Sequence, residues 1–390
     1  MAIPLSYNVR NVRQRWRVTL LAVSGIALVV AVLIVLIALE SGLRIALAST
    51  GSPGNAIVVQ RGATQELTSG IGRENANVIA TDDRVARDAA GRPLASPEIV
   101  VIATLPRKSD GTEGNVQVRG VSPLAYQVRG NVRVVSGRVP TPGLGEVVVG
   151  RHLVNRFRDL EIGRSLRIKG RDWPIVGVFE AGGSSFESEV WTDVDVMASV
   201  FSRQGGYQSM TLRLVDPREL RGWADEVARD PRLRVDIKGE RQFYEDQAGP
   251  VAAALLGLAI FVSIVMGIGA VFGAMNTMYA VVAQRTREIA TLRALGFSRS
   301  SILFSFVVES MFIALVAGLI GCALGWVASE VFPAAATGNV TFSEIAFAFR
   351  ATPAALSAGM VFALVMGLAG GVLPALRAAR LPIARALREA

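Results

Sequence analysis

Chemistry in this chain has few side chains to work with. There is one cysteine, Cys322, and one histidine, His152. No disulfide can form within one copy, and a Cys/His zinc site lacks ligands, so no metal site is expected. A nucleophilic serine would have to recruit His152 as its base. Ala181-Gly-Gly-Ser-Ser-Phe186 looks like a nucleophile or anion loop, but no supporting motif accompanies it. It reads instead as a flexible connection after a strand, and His152 as a surface or core residue. Three lysines occur (Lys108, Lys169, Lys238), and none completes a GxxxxGK[ST] phosphate loop. No catalytic constellation and no nucleotide site are therefore expected in this chain.

The polar chemistry is carried by arginine, and its placement is uneven. Arg10, Arg13, Arg15 and Arg17 form one group. Arg285, Arg287, Arg293 and Arg299, with Glu288, form a second, and Arg377, Arg380, Arg385 and Arg388, with Glu389, a third. These groups flank apolar stretches. Mean hydropathy is +0.41 and 51% of residues are hydrophobic, too apolar for an ordinary soluble domain of 390 residues. Val18–Leu39, Val251–Ala283, Ile302–Ser329 and Thr352–Leu376 are each long enough to cross the hydrocarbon layer at ~1.5 Å per residue. The three groups carry 12 basic and 2 acidic residues, whereas Ser41–Gly249 carries 28 basic and 26 acidic. By the positive-inside rule, both termini lie in the cytoplasm and the long insertion lies outside. The net charge of +9 is thus a topology signal rather than a nucleic-acid footprint.

The expected architecture is an integral membrane α-helical protein. It has four transmembrane helices and a large α+β extracytoplasmic domain between helices 1 and 2. The segments are a cytoplasmic amphipathic helix (1–17, with Leu5, Val9, Val12 and Trp16 at helical spacing), helix 1 (18–40), the outer domain with its stalk (41–249), helix 2 (250–283), a cytoplasmic loop (284–299), helix 3 (300–329), a short outer loop (330–351), helix 4 (352–376) and a tail (377–390). Ala46-Leu-Ala48 resembles a leader-cleavage site, but the long apolar run favours an uncleaved anchor.

Within the outer domain, strands are expected at 56–60, 98–105, 115–121, 132–135, 146–149, 165–168, 174–179 and 210–215. Helices are expected at 151–160, 193–201 and 218–229. Thr64–Gly91 is polar and reads as a mobile loop, and Gly249-Pro250 as a kink.

The loop after helix 2 reads Gln284-Arg-Thr-Arg-Glu-Ile-Ala-Thr-Leu-Arg-Ala-Leu-Gly296. Ile289, Leu292 and Leu295 recur at three-residue intervals amid charges, and Gly296 can end the helix. Such a helix suits a groove on another protein, or equally a lipid interface. In helix 3, Glu309 is a costly carboxylate that needs a partner, such as Arg299, or holds the root of the loop. A proton relay is disfavoured because no chain of acids accompanies it. Gly269/Gly273 and Gly321/Gly325 permit close helix approach.

This loop closely resembles that of the permease subunits of the MacB/FtsX family of ABC transporters. Arg285, Thr286, Arg287, Glu288, Ile289, Arg293, Ala294, Leu295 and Gly296 match the family's coupling-helix run, with Gln284 and Ala290 as mild departures. Pro374, Ala375, Ala378, Ala379, Pro382 and Ala386-Leu-Arg388 resemble its closing pattern, and Glu309 matches an acid often found in its third span. The resemblance implies a non-enzymatic subunit of the inner membrane. Its loop, with Leu292 as one of the anchors, would dock on a separate cytoplasmic ABC ATPase that binds ATP and Mg; no cofactor is expected in this chain. It further implies pairing with a second permease, homo- or heterodimeric, with Gly269/Gly273 near the dimer axis and Gly321/Gly325 in ordinary intrachain packing. Membrane lipids surround it, and no nucleic acid is involved. Three jobs fit such a machine. Tripartite export through a periplasmic adaptor (membrane fusion protein) and outer-membrane channel ranks first, lipoprotein or lipid extraction second, and control of a cell-wall hydrolase third.

Overall fold

The computed structural model describes residues 16–331 and 351–381. The expected interfacial helix, most of the short outer loop and the end of the tail lie outside these. The chain begins with α1 (Trp16–Ala48), followed by β1 (Asn55–Gln60), β2 (Ile71–Gly72), α2 (Arg73–Ala80), β3 (Ala95–Pro106), β4 (Glu113–Val121), α3 (Ala125–Val128) and β5 (Arg133–Gly137). Next come β6 (Val147–Gly150), α4 (Arg151–Arg156), β7 (Ser165–Ile168), β8 (Arg171–Glu180), β9 (Glu189–Asp193), α5 (Val194–Val200), β10 (Gly206–Tyr207), β11 (Ser209–Arg213), α6 (Leu220–Arg229) and β12 (Val235–Gly239). The remainder is α7 (Glu240–Gln284), α8 (Thr286–Ala294), α9 (Arg299–Val331) and α10 (Pro353–Ala379). Two compact units result, a helical one and a mixed one formed mainly by 42–252.

In the helical unit, α1, α7, α9 and α10 are long and apolar enough to span a bilayer. Small residues set their packing. A Cβ on Gly321 would meet the Ala27 carbonyl oxygen at 2.7 Å, and one on Gly325 would meet Ile34 at 2.8 Å. These two glycines therefore seat α1 against α9. A Cβ on Gly269 or Gly273 would meet nothing within 4 Å among the described residues. With Gly25, Ala22, Val29 and Thr277 they line an open groove of about 430 Å³.

In the mixed unit, a ten-stranded sheet runs β12-β1-β11-β3-β4-β9-β6-β8-β5, with β7 beside β8. Pairing is antiparallel except for β4–β9 and β6–β8. Side chains alternate across it. Val147 and Val149 join Ile99, Val118, Trp173 and Met197 on one face, while Val148 joins Phe179, Trp191 and Phe243 on the other. Burial on both faces explains the uninterrupted Val147–Val149 run.

Several expectations are corrected. The polar stretch 64–91 is no mobile loop. It contains β2 and α2, with Ile71, Ala76 and Ile79 buried. Two apolar residues three apart suffice for a short helix when the sheet covers them. The Ala181–Phe186 segment is a hydrogen-bonded turn, exposed at Gly182 and Gly183 and buried at Ala181 and from Ser184 to Phe186, rather than a flexible link. Gly182 and Gly183 have φ of +65° and +77°, and the Glu187 carboxylate accepts the amides of Ala181 and Gly183 at 2.8 and 2.7 Å. His152 lies beside this turn, its Nε2 3.3 Å from Glu187.

Candidate coupling site

The loop between α7 and α9 is built from local signals. Arg285 breaks the helical path at φ −104°, ψ 11°, and α8 starts at Thr286. The helix ends in a two-bond cap: Gly296 adopts φ +93°, its amide donates to the Arg293 carbonyl at 3.2 Å, and the Phe297 amide donates to the Leu292 carbonyl at 3.2 Å. Only a residue without a Cβ takes that φ cheaply, so Gly296 fixes the turn. Ser298 Oγ then accepts the Ser301 amide at 3.2 Å and caps α9.

The helix α8 is tied to its own unit at three places. Arg285 is 4% exposed, and its Nη1 donates to Glu309 Oε2 at 3.1 Å while its Nε donates to Glu288 Oε2 at 3.1 Å. The guanidinium also lies over the Phe306 ring, 5.1 Å from its centroid. Arg293 Nη1 donates to the Ala379 carbonyl at 2.8 Å, satisfying an end carbonyl of α10. Ile289 is buried with Met278, Val282, Ile302, Phe306, Ala375 and Ala378, and Leu292 packs partly against them. A movement of α8 must therefore carry the ends of α7, α9 and α10 with it, or break buried contacts.

Glu309 thus pairs with Arg285 and holds the root of the loop, the second of the two roles its position allowed. The expected apolar row also divides. Three-residue steps drift by about 60° each around a helix of 3.6 residues per turn. Ile289 and Leu292 turn inward, whereas Leu295, just past the helix end, is 70% exposed. Arg287, Glu288, Thr291, Ala294 and Gly296 share its exposure. The outward surface is a short rim of mixed charge around one large apolar side chain. Thr286 points back, its hydroxyl donating to the Ala283 carbonyl at 2.9 Å. Sequence reasoning missed the Arg293–Ala379 link, for which the linear pattern carries no signal.

Two family models match the chain: the FtsX-like permease C-terminal model over residues 260–383 and the MacB-like periplasmic core domain model over residues 19–229. The chain is 25% identical over 394 residues to the uncharacterised ABC transporter permease YknZ of Bacillus subtilis, covering 95% of this chain and 94% of that protein. It is 27% identical over 407 residues to the macrolide export ATP-binding/permease protein MacB of Hyphomonas neptunium, covering 97% of this chain and 60% of that one. An uncharacterised ABC transporter permease of Methanocaldococcus jannaschii is 27% identical over 184 residues, 46% of either chain. Among solved structures, the periplasmic region of MacB from Actinobacillus actinomycetemcomitans is similar with a TM-score of 0.37 at 11% identity, covering 50% of this chain and 92% of that one. The extracellular domain of YknZ gives 0.35 at 11% identity, covering 47% and 99%.

Proposed function

We propose, from the premise that this chain belongs to the family of MacB-like and FtsX-like ABC transporter permeases, that it converts the nucleotide cycle of a separate cytoplasmic ATPase into movement of its outer domain to drive export. The observation that carries this reading is the fastening of α8. Arg285–Glu309, Arg293–Ala379 and the Ile289 cluster make the loop one body with three membrane helices, while Leu295 and the Arg287 rim face outward. A partner pushing on that rim moves the helices.

In this reading both termini and α8 are cytoplasmic and the mixed domain is extracytoplasmic. ATP and Mg are held by the partner, and two permeases pair. Work is done on cargo outside the membrane, with a periplasmic adaptor and outer-membrane channel receiving it. The name of the Hyphomonas neptunium relative, a macrolide exporter, favours export over lipoprotein extraction or hydrolase control.

The experiment is to express the chain with the ATPase that co-purifies with it in mild detergent, then measure ATP-dependent macrolide export from cells. Export above that of cells carrying an inactive ATPase is expected. No macrolide movement, with ATP-dependent release of lipid-anchored proteins from the outer leaflet, would overturn the export reading in favour of extraction.

A further inference from the structure

The mixed unit hides six ionisable side chains at its centre. Glu98 of β3, Arg119 of β4, Arg129 just after α3 and Glu240 at the start of α7 are each at most 1% exposed, and Glu66 and Glu189 are nearly as buried. Two guanidiniums thus face four carboxylates. Burying charge costs several kcal/mol per ion unless geometry and extra hydrogen bonds compensate. Here they do. Arg119 donates to Glu189 through Nε (2.7 Å) and Nη2 (2.9 Å), to Glu66 through Nη1 (2.7 Å) and Nη2 (2.9 Å), and to Glu98 at 2.7 Å. Neutral donors add a second bond to the same carboxylate oxygens: Gln117 and Trp191 on Glu189, and Ser209 and Tyr244 on Glu66.

Arg129 differs from Arg119 in what it joins. Its Nη atoms grip both Glu98 oxygens in the middle of the sheet, and Nη2 also donates to Thr211 Oγ1 at 2.6 Å. Its Nε donates to Glu240 Oε1 at 2.8 Å. Glu240 Oε2 accepts Asn55 Nδ2 at 2.9 Å and the Ser52 amide at 3.0 Å. One turn on, Tyr244 is buried against Phe186, and both guanidiniums lie over the Phe186 ring at 5.2 and 4.7 Å. The chain leaving α1 closes on the same point. A Cβ on Gly51 would meet the Arg241 amide nitrogen at 2.3 Å, and Thr50 Oγ1 lies 2.8 Å from Ser185 Oγ in the Phe186 turn.

We propose that Arg129 is the positioning residue that locks the first turns of α7 to the central strand β3. A planar guanidinium holding one carboxylate bidentately and another through Nε transmits displacement without slack. Its place in the transport cycle, as the point where motion enters the outer domain, rests on the function proposed above; the anchoring itself does not.

The test reads amide hydrogen exchange on the full chain in nanodiscs. Arg129→Met removes the link, and Glu240→Gln removes only the charge at the helix root, which keeps the test open should the first variant fail to fold. Amides 241–248 should exchange on the order of tenfold or more faster in either variant, with 99–105 and 116–121 still protected. With the ATPase present, ATP turnover should hold while cargo moved per ATP falls. Unchanged exchange at 241–248, or equal loss across the strands, overturns the proposal. Local loosening as expected, in a complex whose unmodified form moves no cargo, would uphold the anchor and defeat the transport reading.

Discussion

Arg285 and Glu309 lie 24 positions apart in sequence and meet at 3.1 Å, both almost fully withdrawn from solvent. The pair ties the junction of α7 and α8 to α9. Glu309→Ala should leave a buried guanidinium facing the half-exposed Glu288, at a cost on the order of 2 kcal/mol or more. Amide exchange across 286–294 should rise, and ATP turnover by the bound ATPase should persist with less cargo moved. Full export by this variant would show that the pair is not needed for the coupling role proposed for α8.

The two glycine pairs have different surroundings: a Cβ on Gly321 or Gly325 would strike α1, whereas one on Gly269 or Gly273 would face the open groove. Gly321→Leu drives a side chain into the Ala27 carbonyl and Val30, and overpacking of that kind costs about 1–3 kcal/mol. The protein should accumulate less and unfold at lower temperature. A Cβ on Gly273 meets no described atom within 4 Å, and the rest of a Gly273→Leu side chain enters the open groove, so accumulation should stay unchanged. In the proposed pair of permeases it should shift purified protein from dimer to monomer, read by native mass spectrometry. A Gly273→Leu dimer as abundant as the unmodified one would exclude this groove as the pairing surface.

Acid should weaken the mixed domain through Glu146. The Arg138 guanidinium, with Nη1 2.6 Å from Glu146 Oε2, and the Thr141 amide at 2.9 Å hold this carboxyl down to about 2. The folded-state value is below the ordinary 4.5, so the stabilisation is fully present above about 4.5 and disappears as pH falls toward about 2. Urea midpoints of the full chain in detergent should decline across that window. Glu146→Gln should flatten part of the decline; an identical profile in the variant would assign it to other carboxylates.

The membrane helices were legible because nothing but apolar area can occupy a bilayer core, so long uncharged runs have few alternative readings. The α8 boundaries were legible from Gly296 and the flanking arginines, whose roles are local. The inward turn of Leu292 was not, because helical drift matters only once it is known what lies beneath. Nor was Arg285 as the partner of Glu309, since sequence nearness favoured Arg299. In the outer domain, β1, β6 and β8 showed as β-branched runs. The strand β9 (Glu-Val-Trp-Thr-Asp) escaped notice because Glu189 reads as a surface residue until Arg119 is found beside it. The α+β class was thus readable, but the buried charge cluster that joins its centre to α7 was not.

The exposed rim around Leu295 can be probed directly. In a Cys322→Ser background, Leu295→Cys supplies a single thiol on the exposed end of α8. A maleimide-based cross-linker applied to isolated membranes should yield one protein adduct at this position, with an ABC ATPase, and a membrane-impermeant thiol reagent added to intact cells should not reach it. An ATPase-free adduct profile, or labelling of position 295 from outside the cell, would contradict the claim that this helix receives the motor.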